Sequence, residues 1–315
     1  MNTLATARRP RSSFSLFDSE GRHRIRWSLV ALLAVSFVVS VALEGYSFYM
    51  LPAAERARHV DYNAFRPSGS IGLKLGILGG VSFLLIYLYP IRKRWPWLRR
   101  IGNTKHWLDF HVLMGLFGPA IITLHSSFKF HGLAGMAFWI MWTVALSGLV
   151  GRYFYAQIPR RITAAELSLA EIEEARAKAS AALTEQDVIA QEELEELLRL
   201  PSHAEVQAMP LWKALSMMFA LDVARPFKFS RVRRRSMSLP LQLLSLGGLL
   251  PIGSLALEEI ISSVRRENWL STKTLFLSKT QKLFHLWHVV HRPFSYSFSI
   301  LVVVHISFVI YLGYF

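Results

Sequence analysis

Five apolar runs, each close to the length of a bilayer-crossing helix, constrain this chain more than any other feature. They cover about residues 27–51, 71–91, 107–127, 132–157 and 291–313. A helix needs roughly 20 residues to cross a ~30 Å hydrocarbon core, and only helices or closed barrels satisfy their backbones there. Of the 315 residues, 52% are hydrophobic. The mean hydropathy is +0.32, too apolar for an ordinary soluble domain. The expected fold is all-α, a polytopic membrane helix bundle with about five spans.

Charge supplies the orientation. The net charge is +15, a balance that can signal nucleic acid. Here the basic residues gather beside the apolar runs, so the expected partner is the lipid bilayer and not nucleic acid. The tail at 1–26 carries Arg8, Arg9, Arg11, Arg22, Arg24 and Arg26. The loop after the second run reads ArgLysArgTrpProTrpLeuArgArg at 92–100, and Arg160, Arg161 and Arg231 follow the fourth run. The loops at 52–70 and 128–131 hold fewer positive charges. The positive-inside rule then predicts a multi-pass protein of a bacterial inner membrane, N-terminus cytoplasmic and C-terminus periplasmic. The long basic segment ahead of the first run favours an uncleaved signal anchor.

The expected divisions are a basic cytoplasmic tail (1–26), a four-helix transmembrane region (27–157), a cytoplasmic helical insertion (158–236), an amphipathic or re-entrant connector (237–290) and the last transmembrane helix (291–315). Residues 163–200 hold ten of the 21 acidic residues and three basic ones, a local charge of −7. Thr163 with Glu166 matches a capping box, and Thr184 with Asp187 suggests a second helix start, so an acidic helical hairpin is expected. Residues 237–262 are apolar, but Pro240, Pro251, Gly247-Gly248 and Glu258-Glu259 argue for a surface-lying or re-entrant segment.

Eleven histidines and no cysteine direct the chemistry. Without cysteine there are no disulfides, no cysteine-ligated iron–sulfur clusters and no thioether-attached haem. His111 and His125 lie fourteen residues apart in the third run, and His291 and His305 fourteen apart in the last. Fourteen residues at ~100° each fall about 40° short of four turns, so each pair shares nearly one helix face. The pair spans roughly 21 Å. With five spans both helices run outward. His111 then matches His291 on the cytoplasmic side, and His125 matches His305 on the outer side. Four hydrogen-bonded core histidines would be the plainer account, but two equal pairs at matching depths weigh against it. Zinc wants its ligands within one small sphere. Bis-imidazole iron leaves no open position and suits electron transfer. The pattern therefore predicts two haem b groups, with His111, His125, His291 and His305 as metal ligands.

Other residues have weaker claims on the same site. His288 lies seventeen residues from His305, about 100° away round the helix, so His291 is preferred as the ligand. His288, His285 and Arg292 are placed to contact propionates or a quinone, the second expected cofactor. Gly115 and Gly118 lie between the ligands of the third run and would admit a flat macrocycle, although helix packing accounts for them as well. Arg152, Arg160, Arg161 and Lys129 are candidate propionate partners or interface anchors. His131 could lie near an outer haem. Asp109 could orient a histidine, bind a quinol hydroxyl or relay a proton, and Glu44 could snorkel. His106 lies about 140° from His111, off the ligand face. His23, His59 and His203 are expected at the surface.

HisValLeuMetGlyLeuPheGlyProAlaIleIleThrLeuHis (111–125) and HisArgProPheSerTyrSerPheSerIleLeuValValValHis (291–305) resemble the ligand helices of the di-haem transmembrane cytochromes b, above all the ferric-reductase-like transmembrane domain family. The resemblance covers the second to fifth runs and implies two bis-histidine haems held between two helices. It departs from the family in having five spans, an acidic insertion between the ligand helices and no GxGxxG fingerprint, so direct hydride uptake from NADPH is not expected. The expected function is transmembrane electron transfer from a quinone pool or cytoplasmic-side donor to a periplasmic cytochrome or iron–sulfur protein, as the cytochrome b subunit of an oxidoreductase. A histidine-based proton-coupled transporter and a non-catalytic membrane anchor subunit are the alternatives.

Overall fold

The computed structural model describes residues 19–158, 200–235, 237–250 and 255–313. Among these the chain is helical, with no strand. The acidic hairpin expected at 163–200, Arg160, Arg161 and the first part of the basic tail lie outside the described residues. Five helical stretches are long and apolar enough to cross a membrane: Gly21–Glu44, Gly72–Arg94, Thr104–His125, Gly132–Gln157 and Val264–Tyr311. Each overlaps one of the five apolar runs, the last beginning well before residue 291, as fits a polytopic all-α bundle. The chain forms two compact units, one of the residues up to Leu149 together with those from His291 onward, the other of Val150–Val290.

In the first unit, helix α1 (Ser19–Glu44) starts earlier than its apolar run, inside the basic tail. It ends at Gly45, where an added Cβ would lie 2.6 Å from the Tyr49 ring. Two single-turn helices, α2 (Tyr46–Tyr49) and α3 (Tyr62–Phe65), fold the following linker over the bundle end. The buried Arg56 guanidinium organises this linker, donating to Leu51 O at 2.8 Å, Tyr49 O at 2.9 Å and the carbonyl of Ser127. Ser127 Oγ in turn donates to Phe65 O at 2.8 Å. Ser127 and Phe128 both adopt left-handed backbone, with φ 47° and 58°. Such residues cost ~1–3 kcal/mol each, and the Arg56 and Phe65 bonds hold the turn in place.

Helix α4 (Gly72–Ile86) runs almost directly into α5 (Leu88–Arg94), which leads through the one-turn α6 (Pro96–Arg99) to α7 (Thr104–His125). Arg92 closes the α5–α7 turn. Its buried guanidinium donates to Thr104 Oγ1 at 3.0 Å, Gly102 O at 2.9 Å and Arg99 O at 3.1 Å. Helices α4 and α7 pack closely against each other. With no hydrophobic driving force between helices in lipid, close approach at small residues supplies the contact. Gly118 accordingly meets the Phe83 ring. Helix α8 (Gly132–Gln157) is tied to α7 by Trp142 Nε1, which donates to Thr123 Oγ1 at 3.1 Å. Val41, Phe48, Phe65, Leu75, Ile121 and Leu124 fill the core of this unit.

The second unit is built on α9 (His203–Ala208), α10 (Leu211–Arg235), α11 (Leu239–Leu244) and part of α12 (Leu255–Tyr311). Ser202 and Glu205 cap α9 with a complete capping box. Val206, Ala214, Met218 and Phe276 form its core. Arg233 and Glu258 make a bidentate pair at 2.6 Å, largely buried. Asp222 accepts from Tyr153 Oη at 2.8 Å and pairs with Arg225 at 2.9 Å, while Arg225 also reaches Asn268. Within the connector expected at 237–290, the six-residue α11 is followed by a left-handed turn at Leu246–Gly248, with φ 51°, 68° and 84°. Its C-terminal part, from Leu255, belongs to α12, whose stretch Val264–Tyr311 is long and apolar enough to cross a membrane. Helix α12 then runs 57 residues without a break at 291.

Candidate functional site

The two histidine pairs lie on uninterrupted helices, His111 and His125 on α7 and His291 and His305 on α12. All four side chains are half-buried. Pro119 and Pro293 fall inside these helices without ending them. The segment of α12 from His291 onward meets α4 halfway between its two histidines, through Phe83 edge-on to Phe298 (4.9 Å) and a hydroxyl contact between Tyr87 and Ser299.

His111 Nδ1 lies 3.0 Å from Ile86 O. The sequence explains why that carbonyl can accept the bond. Its helical partner would be the N–H four residues on, and residue 90 is proline, which has none. Helix α4 ends there, and the freed carbonyl turns to the imidazole. His125 Nδ1 lies 2.8 Å from Gly72 O. Gly76 permits that approach, because a Cβ at residue 76 would fall 2.6 Å from His125 Cε1 and 2.7 Å from Nδ1. His291 Nδ1 lies 2.7 Å from Ser147 Oγ, which is also 2.8 Å from Val144 O. A carbonyl can only accept, so Nδ1 of His111 and of His125 is the donor, while the Ser147 hydroxyl can serve His291 in either role. The neutral form of His111 and of His125 then carries its lone pair on Nε2, the tautomer in which ligating histidines are held by second-shell acceptors. His305 makes no side-chain hydrogen bond among the described residues.

Among the described residues no group of three or more His, Asp or Glu side chains gathers where one metal ion could bind them together.

The weaker candidates divide. Around Gly115 no outside atom comes within 4 Å of a Cβ position, as close approach of a planar group would need. Gly118 instead meets Phe83, where a Cβ would lie 2.8 Å from the ring, and so serves α4–α7 packing. His288 belongs to the second unit, and its Nδ1 bonds back to Phe284 O of its own helix at 3.1 Å. Arg292, Lys129, His131, His285 and Glu44 are exposed, and Arg152 is half-buried. His59 Nδ1 accepts from Asp61 N at 3.2 Å, a local turn bond.

Sequence reasoning missed His23. Expected at the surface, it lies flat on His106 (3.6 Å between centroids, 16° between planes), and its Nε2 is 3.2 Å from Asp109 Oδ2. Trp27 and Phe110 meet edge-on one turn further along (6.3 Å). Asp109 does orient a histidine, but it is His23 of α1 and not His111. The early start of α1 produces this contact. In the sequence, the four-residue step from His23 to Trp27 puts both on one helix face, which was the available signal. Pro90 and Gly76 were also missed, since neither is a ligand type.

No protein-family model, curated protein or solved structure matches the chain.

Proposed function

We propose that this chain carries electrons across a bilayer, holding one b-type haem between His111 and His291 and a second between His125 and His305. The observation that carries the reading is the capture of three of these imidazoles through Nδ1, by Ile86 O, Gly72 O and Ser147 Oγ. That capture aims Nε2 of each away from its supporting helix and, where Nδ1 is the donor, raises its basicity. Held by these four histidines, two haem groups would supply one-electron redox chemistry of the kind that serves electron transfer. Helices α7 and α12 each set a step of roughly 21 Å between their two histidines, most of a ~30 Å hydrocarbon core. The fourteen-residue interval on each ligand helix is the basis for placing the chain with the di-haem cytochromes b.

In this reading the Arg92–Arg100 loop faces the cytoplasm of a bacterium, the C-terminus faces the periplasm, and His111 and His291 form the inner site. A quinone pool or a cytoplasmic-side donor meets the inner site, and a periplasmic cytochrome or iron–sulfur protein meets the outer one. The test is an optical spectrum of the protein purified from haem-supplied cells. Reduced-minus-oxidised b-type bands and two haems per chain are expected. His125→Ala or His305→Ala should remove one haem and leave the other. A colourless protein, or unchanged haem content in both variants, ends the reading.

A further inference from the structure

The second unit carries a largely exposed apolar stripe, in which Phe219 meets Tyr153 edge-on at 5.9 Å. On α10, Trp212, Phe219, Val223 and Phe227 are 72%, 55%, 47% and 58% exposed. At ~100° per residue they fall within an arc of about 80°. Ala214, Met218, Phe229 and Val232, all buried, fall on the opposite side of the same helix. The helix is thus apolar on two faces, one against Phe276 and Val206 and one outward. A surface helix normally keeps a single apolar stripe, and a second, exposed one needs an apolar phase to cover it.

Charge indicates which phase. Lys213, Arg231 and Arg234 are exposed along the stripe's edge and at its C-terminal end. The only acidic residue of α10, Asp222, faces Tyr153 and Arg225 inside the unit. Aromatic and aliphatic residues on one face with Lys and Arg beside them mark a helix lying in a membrane interface. The chain continues the surface, since Leu239 and Leu246 are also exposed. Both ends of the unit lie within helices long enough to span a membrane, so the bilayer is within reach.

We propose that α10 lies on the membrane surface, with Trp212, Phe219, Val223 and Phe227 buried among lipid headgroups and upper acyl chains and its basic edge against anionic lipid phosphates. This assignment is independent of the haem reading. The chain contains no cysteine, so single spin labels report one site each. Trp212→Cys, Phe219→Cys, Val223→Cys and Phe227→Cys would be labelled in the full chain, reconstituted in phosphatidylcholine vesicles with and without phosphatidylglycerol. Ala204→Cys, at an exposed site on α9, gives the aqueous reference. The expected result is loss of collisions with a water-soluble nickel complex and gain of collisions with oxygen at the stripe positions. The effect should be stronger with phosphatidylglycerol and reduced by Arg231→Glu with Arg234→Glu. Nickel accessibility equal to the reference would overturn the proposal. Shielding from nickel and oxygen together would also overturn it, since it would mean a protein cover such as the acidic segment at 163–200 or a second copy.

Discussion

At the residue scale, the imidazoles are held by neighbours that are not ligands themselves. Gly76 is the sharpest case. Gly76→Ala puts a methyl 2.6 Å from His125 Cε1, an overpacking that typically costs ~1–3 kcal/mol. The ring must leave Gly72 O, so the variant should unfold at lower denaturant and lose haem from the His125 site. Gly80→Ala, where no outside atom lies within 4 Å, should do neither. At the other level, Ser147→Ala removes the hydroxyl 2.7 Å from His291 Nδ1. Loss of such a partner lowers metal affinity by about 10–100-fold. Haem titration of the apoprotein should show weakening at one site, with the fold unchanged by circular dichroism.

At the element scale, the junction of α4 and α5 turns a helix end into part of the site. Because Pro90 has no N–H, Ile86 O accepts from His111 and α4 stops at Ile86. Pro90→Ala restores the competing donor, and the helix gains a bond at the imidazole's expense. We expect more helix and altered low-spin haem g-values in electron paramagnetic resonance. Unchanged g-values would remove Pro90 from the site. The apolar runs and their helix type were legible because a ~20-residue apolar segment admits few other structures. The ends were not. α1 begins at Ser19, within the charged tail, and α12 passes through residue 291 without a break. Charged residues continue a helix when neighbouring elements hold them, as Asp109 holds His23.

At the scale of the whole molecule, the four candidate ligands fall in one compact unit, although the chain leaves it at Leu149 and returns at His291. The other unit contains the largely buried pair of Arg233 and Glu258. Removing one partner of such a pair costs ~3–5 kcal/mol, whereas replacing both by apolar residues is often neutral. Arg233→Ala should therefore sensitise Val150–Val290 to proteolysis while the b-type spectrum expected from the proposed haem sites of the first unit persists. Arg233→Met with Glu258→Leu should restore much of the resistance. Loss of the spectrum together with the second unit would show that the ligand helices depend on it.

The sequence alone determined the helix class, the number of long apolar helices and the fourteen-residue interval, because these depend on local composition and helix geometry. It could not select the hydrogen-bond partners of the imidazoles. Those are Ile86 O, Gly72 O and Ser147 Oγ, on other helices than the histidines they hold. Nor could it bring His23 to Asp109, 86 residues away, or separate Gly115 from Gly118, which look alike in the chain until Phe83 packs against one of them. Each of these depends on which helices pack together and at what rotation. Packing between distant helices sets that, through side chains whose individual identities carry little signal.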